Sequence, residues 1–250
     1  MLSVYLYSFA SVLVVSLISL VGIFTLSLKE HVLKRYVFVL VSLAVGALLG
    51  DAFIHLIPEA FENADNMTLV SIAIIAGALI FFVLEKILHW HHHALGEVDH
   101  ETVHLTGKMI LISDGAHNFI DGLIIGVSYL VSVEVGMATT LAIILHEIPQ
   151  EMGDFGVLIH SGYTTAKALW FNFLSALLAV VGTIFALVAG GASEAITTWP
   201  LPLAAGGFIY VAMSDLIPEM HKTKDVRHSV FQFVAVLAGI TAMLLLLGVE

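Results

Sequence analysis

The chain has 250 residues, of which 59% are hydrophobic and 12% charged, with no cysteine and a formal net charge of -11. Soluble domains carry about 25% charged residues, so this composition excludes a water-soluble fold and indicates a single polytopic membrane domain. The absence of cysteine excludes disulfides, thiolate metal sites and thiol catalysis, and no basic patch supports nucleic-acid binding.

Apolar runs of about 20 residues suit membrane-crossing helices, and the sequence contains eight, at 4–27, 36–58, 68–90, 104–130, 134–160, 166–190, 200–221 and 228–249. The first lacks the basic region of a signal peptide and is expected to be retained. The predicted fold is therefore an all-α membrane protein of eight transmembrane helices. Its nine basic residues all fall in or beside odd-numbered connections: Lys29, Lys34, Arg35, Lys86, Lys108, Lys167, Lys222, Lys224 and Arg227. Basic residues favour the cytoplasmic side, so those connections are expected to be cytoplasmic and both termini extracytoplasmic, in the cell membrane.

An internal echo links two of these spans. Leu56-Ile57-Pro58-Glu59 ends the second and Leu216-Ile217-Pro218-Glu219 ends the seventh. At opposite ends of the bilayer, these copies imply a 3+2+3 arrangement, with inverted repeats flanking a central helix pair and a substrate site near the midplane.

Polar residues interrupt the spans in a pattern. On the second, Asp51, His55 and Glu59 are spaced i, i+4, i+8 and share a helix face. On the seventh, Asp215 and Glu219 are also i, i+4, and the two sets read as ligand ladders on either side of a central site. The third connection, with its histidine-rich segment at 91–103, gathers His89, His91, His92, His93, His100 and His104 with Glu97, Asp99 and Glu101. Such a tract binds metal loosely or is simply a solvated loop.

The densest cluster lies on the fourth and fifth spans. Asp114, His117, Asn118 and Asp121 are followed by His146, Glu147, Gln150, Glu151 and Asp154, with no Lys or Arg between residues 109 and 166. A charge at bilayer depth costs roughly 2.5–3.5 kcal/mol on insertion scales, so five uncompensated acids would cost on the order of 10 kcal/mol. Carboxylates interleaved with imidazoles are the donors a divalent cation prefers. The expectation is an intramembrane metal site, weighed against a polar network that only holds helices together. Pro149 is expected to bend the fifth helix and free the carbonyl of Leu145, and Gly115, Gly122 and Gly153 to bring the two central helices close.

His117-Asn118-Phe119-Ile120-Asp121-Gly122 and His146-Glu147-Ile148-Pro149-Gln150-Glu151-Met152-Gly153-Asp154 resemble the fourth- and fifth-span signatures of the ZIP (Zrt-/Irt-like protein) metal transporters. They are most similar to the subfamily whose fifth span reads His-Glu-x-Pro-His-Glu-x-Gly-Asp. The resemblance implies uptake of Zn(II), Fe(II) or Mn(II) toward the cytoplasm through a binuclear site. One ion would use His117, His146 and Gln150 with Asp121 available, and the other Asn118, Asp121 and Glu147. It further implies an elevator motion and a homodimer in the lipid bilayer. Gln150 departs from the pattern, since the subfamily has His there, and leaves the choice of ion open. The alternatives are a proton-coupled carrier that uses the acids without metal, export instead of uptake, and an intramembrane zinc protease of the His-Glu-x-x-His type. The last lacks its second His, again at Gln150, so no enzymatic activity is expected.

Overall fold

The computed structural model describes residues 2–23, 30–62, 64, 66–93, 100–190, 199–222 and 225–247. Among these, every regular element is helical, and the elements form eight rods. α1 is Leu2–Ile18, continued by a tighter turn at Ser19–Val21. α2 joins Glu30–Asp51, a wide π-turn at Ala52–Leu56 and Ile57–Glu62. α3 is Met67–His93, α4 His100–Val131 and α5 Val133–His160. α6 joins Thr165–Ala176 to Leu178–Gly190. α7 joins Pro200–Val211, a second π-turn at Ala212–Leu216 and Ile217–Met220, and α8 is Val226–Leu246.

Six of the eight contain a stretch long and apolar enough to cross a membrane: Ser3–Val21, Val37–Glu62, Met67–Leu84, Ile110–Val131, Thr165–Gly190 and Val226–Leu246. The seventh rod has a shorter apolar stretch, Pro200–Leu216. α5 has 28 residues, or about 42 Å at 1.5 Å per residue, so length is no obstacle. Its acids, His146 and Gln150 lower its apolarity, and His146, Glu147 and Glu151 are buried, so these three groups point inward. In the third connection, His91–His93 belong to α3 and His100 opens α4, while residues 94–99 lie outside the described residues.

The echo noticed in the sequence is matched by packing. Ile57 N–H bonds the carbonyl of Ala52, and Ile217 N–H that of Ala212, which closes a π-turn directly before each Pro. Pro has no N–H to return to the residue four positions back, so a register shift just ahead of it sheds an otherwise orphaned pairing. The glycines twelve residues before each Pro, Gly46 and Gly206, correspond as well. A Cβ on Gly46 would stand 2.0 Å from the carbonyl oxygen of Val236, and one on Gly239 would stand 2.4 Å from that of Leu43. In the other half, a Cβ on Gly206 would stand 1.9 Å from the carbonyl oxygen of Ile74, and one on Gly77 would stand 2.0 Å from that of Leu203. The crossing of α2 with α8 is thus repeated, residue for residue, by that of α7 with α3. Only glycine permits backbones this close, and in lipid such contacts replace the hydrophobic drive that is missing between helices.

The central helices are placed differently from the sequence expectation. Gly122 and Gly115 do not bring α4 to α5. A Cβ on Gly122 would stand 1.8 Å from the carbonyl oxygen of Ala179, and one on Gly115 would stand 2.8 Å from Leu178, both on α6. Gly182 returns the contact against Phe119 O, and Thr183 Oγ1 donates to Gly122 O at 2.8 Å. Gly153 has nothing within 4 Å and faces open space. The correction has a simple cause. The face of α4 carrying these glycines points away from the His117 and Asp121 face, so close packing goes to α6 and leaves room beside α5 for side chains. α5 runs through Pro149 as one continuous helix and ends in a turn at Gly162 (φ 83). There Tyr163 N–H reaches Leu158 O at 3.1 Å, the six-to-one bond that closes a helix on glycine.

Candidate metal centre

His117 and Asp121 lie one turn apart on α4, and His146 and Glu147 are adjacent on α5. The structure brings their tips together across 29 residues of sequence. His117 Nε2 is 3.3 Å from His146 Nε2, 3.7 Å from Asp121 Oδ2 and 3.6 Å from Glu147 Oε1. His146 Nε2 is 3.2 Å from Asp121 Oδ2 and 3.7 Å from Glu147 Oε1. Zinc ligands stand about 2.0–2.1 Å from the ion, so the corners of a tetrahedron around it are about 3.3 Å apart. The four atoms already have nearly that spacing.

The surroundings fix how these groups present themselves. His146 Nδ1 donates to the carbonyl oxygen of Ala142 at 3.1 Å. That bond selects the tautomer whose Nε2 lone pair faces the other three groups. The two imidazoles meet edge to face at 5.5 Å between centroids. Phe81 of α3 stands edge-on to His117 at 6.1 Å, and Phe208 of α7 to His146 at 6.2 Å. Both oxygens of Asp121 and both of Glu147 are buried, and among the described residues no donor reaches them in hydrogen-bonding geometry. Buried carboxylates without donors are costly. Two imidazole nitrogens and two carboxylate oxygens so arranged are donors that could hold a divalent metal ion.

A second set adjoins the first and shares Glu147. Asp114, Glu147 and Glu151 offer one oxygen each within 4.8 Å. Asn118 Nδ2 donates to Asp114 Oδ1 at 2.8 Å, so Asn118 supports an acid of this set. Gln150 and Asp154 also lie against Asp114. The Gln150 carboxamide is therefore directed toward the acidic set, and two nitrogens and two oxygens remain in the imidazole set. Two further residues join from α6: Ser175 Oγ donates to Asp114 Oδ2 at 2.5 Å, and Asn172 Nδ2 donates to Glu151 Oε2. Sequence reasoning passed over Asn172, Ser175, Phe81 and Phe208. The polar pair was legible only as i, i+3 spacing in an otherwise apolar span, and nothing local marks the two phenylalanines.

Of the residues expected on the ladders, Asp51, His55, Glu59 and Asp215 are not members of these two sets. Asp51 and His55 of α2 are buried, with His55 Nδ1 3.4 Å from Asp51 Oδ1, and Thr139 of α5 lies beside Asp51. Glu59 is half-buried, and Asp215 is exposed on the second π-turn. Glu219 is in the closing turn of α7, but its side chain lies outside the described residues.

The ZIP Zinc transporter family matches residues 2–108 and 96–247, which together cover almost the whole chain. The chain belongs to the ZIP family. Among curated relatives, the "Metal cation symporter ZIP14" of Mus musculus is 32% identical, covering 98% of this chain and 68% of its own length. The protein of the same name in Xenopus tropicalis is 33% identical over 86% of this chain and 62% of its own. The "Zinc transporter ZIP13" of Pongo abelii is 33% identical over 82% of this chain and 65% of its own. The chain thus spans a little under two thirds to just over two thirds of the length of these relatives. A member of a family of metal transporters, with Gln150 where a zinc protease needs its second His, is not expected to cleave peptides.

Proposed function

We propose that this ZIP-family chain carries divalent transition-metal ions, Zn(II) foremost, across a membrane through the paired sets on α4 and α5. The observation that supports this best is the spacing of His117 Nε2, His146 Nε2, Asp121 Oδ2 and Glu147 Oε1, 3.2–3.7 Å in the five pairs described above. Two imidazoles and two carboxylates suit Zn(II), while the adjoining carboxylates extend the range toward Fe(II) and Mn(II). Glu147, common to both sets, would bridge two ions, which makes the site binuclear.

In this reading all eight rods cross the bilayer, with both termini extracytoplasmic and the third connection in the cytoplasm. The ion enters past Glu59, His55 and Asp51, exchanges its water for the central ligands, and leaves toward the cytoplasm past Asp215 and Glu219. The histidine-rich segment 91–103 collects released ions. The protein works as a homodimer. Because ligands must shed protons to bind, protons compete with the ion, and uptake falls as pH drops through the carboxylate and imidazole range.

The test is ion flux into proteoliposomes that enclose a zinc-sensitive dye. Flux should be saturable in the wild type and fall by at least tenfold in His117→Ala and Glu147→Ala. Wild-type flux in both variants would refute the site. Cation-independent proton flux of the same rate would favour the proton carrier instead.

A further inference from the structure

α6 brings two polar side chains to the acidic set, and each grips a carboxylate. Ser175 Oγ takes Asp114 Oδ2, and Asn172 Nδ2 takes Glu151 Oε2. The Asn172 amide also donates to the carbonyl oxygen of Ser19 at 3.2 Å, which ties its orientation to α1 as well. Ser16 Oγ, one turn away on α1, donates to Ala176 O at 3.0 Å. That bond satisfies a carbonyl where α6 is interrupted at Leu177. Asn118 Nδ2 meanwhile holds the other oxygen of Asp114 at 2.8 Å.

What these donors leave over is informative. Glu147 Oε1 and Oε2, Glu151 Oε1 and Asn118 Oδ1 are buried, and among the described residues no donor reaches them in hydrogen-bonding geometry. Three carboxylates within 4.8 Å repel one another and would rotate apart if unrestrained. A donor on one oxygen of Glu151 and a donor on each oxygen of Asp114 prevent this and decide which lone pairs face inward. The resulting set contains oxygen only, in contrast to the imidazole set beside it. Hard ions such as Mn(II) prefer oxygen donors, whereas imidazole suits Zn(II).

We infer that Asn172 and Ser175 are positioning residues that determine ion preference: they hold Glu151 and Asp114 so that the acidic set takes a hard divalent ion, Mn(II), beside a zinc-type set. The inference rests on the metal-transport reading above and adds a division of labour between the two sets. Residues that orient ligands typically change metal affinity by about 10- to 100-fold when removed.

The experiment uses the purified full chain in detergent. Mn(II) binding is read from loss of the free-ion electron paramagnetic resonance signal, and Zn(II) binding from competition with a chromogenic chelator. Asn172→Ala and Ser175→Ala should each weaken Mn(II) binding by about 10- to 100-fold and leave Zn(II) affinity within about threefold. Ser175→Thr, which keeps the hydroxyl, should restore Mn(II) binding toward the wild-type value. Equal losses for both ions, with Thr no better than Ala, would show a merely structural role and overturn the inference. Unchanged Mn(II) affinity in both Ala variants would also overturn it. Wild-type protein that binds Zn(II) but not Mn(II) defeats this inference alone, whereas wild-type protein that binds neither ion defeats the transport reading too.

Discussion

Glu147→Gln separates what the site costs from what it does. Glu147 Oε1 is 3.6 and 3.7 Å from the two imidazole nitrogens, and the residue is also one of three carboxylates in the acidic set. Gln keeps the volume and removes the charge, so packing changes little. Removing one partner of a buried ionic group costs about 3–5 kcal/mol, and 1.4 kcal/mol is a factor of ten. Metal affinity should therefore fall by about two to three and a half orders of magnitude, in both sets at once. The metal-free protein should move the other way. Its Glu147 is buried among Asp114, Asp121 and Glu151, and no Lys or Arg occurs between residues 109 and 166. An amide in that place relieves repulsion and desolvation. A gain of about 1 kcal/mol in a chain of this size corresponds to a melting temperature about 2–4 °C higher. The assay is thermal unfolding of both proteins in detergent with chelator, then a titration with zinc. A variant that melts lower without metal, or binds zinc as tightly as the wild type, would refute the argument that unpaired acids are held for a cation.

Further outcomes follow from the same geometry. Gly206→Val places side-chain carbon where a Cβ alone would stand 1.9 Å from Ile74 O. It should destabilise the α3 and α7 crossing by at least the 1–3 kcal/mol typical of overpacking, read as a lower melting temperature and lost expression. Gly153→Ala, with nothing within 4 Å, should instead be neutral or stabilising by up to about 1 kcal/mol through helix propensity. Zinc affinity measured by calorimetry should fall as pH is lowered, because protons compete with the ion for imidazole and carboxylate lone pairs; affinity that does not change between neutral and acidic pH would exclude His117 and His146 as ligands. Zinc at about 100 times its dissociation constant should stabilise the protein by about 2.7 kcal/mol, and chelation should abolish the shift in melting temperature.

The sequence by itself determined the helical rods and the chemistry they carry. Apolar run length and 3.6-residue spacing are local properties, so a chain that must satisfy every backbone group inside lipid leaves few alternatives. Pro58 and Pro218, each behind the same Leu-Ile pair, already marked two corresponding helices. Only the tertiary structure decided which faces meet. Rigid helices rotate and cross as their closest contacts allow, and those contacts join residues far apart in the chain: Gly122 with Ala179, Gly46 with Val236, Gly206 with Ile74. Once α4 is locked onto α6 by its glycines, its other face sets His117 and Asp121 against His146 and Glu147 and turns Asp114 toward Ser175. For the same reason Gln150, on the same helical row as His146, lies against Asp114. The ligand types are written along the helices, but their grouping into two sets follows from how those helices are rotated against one another.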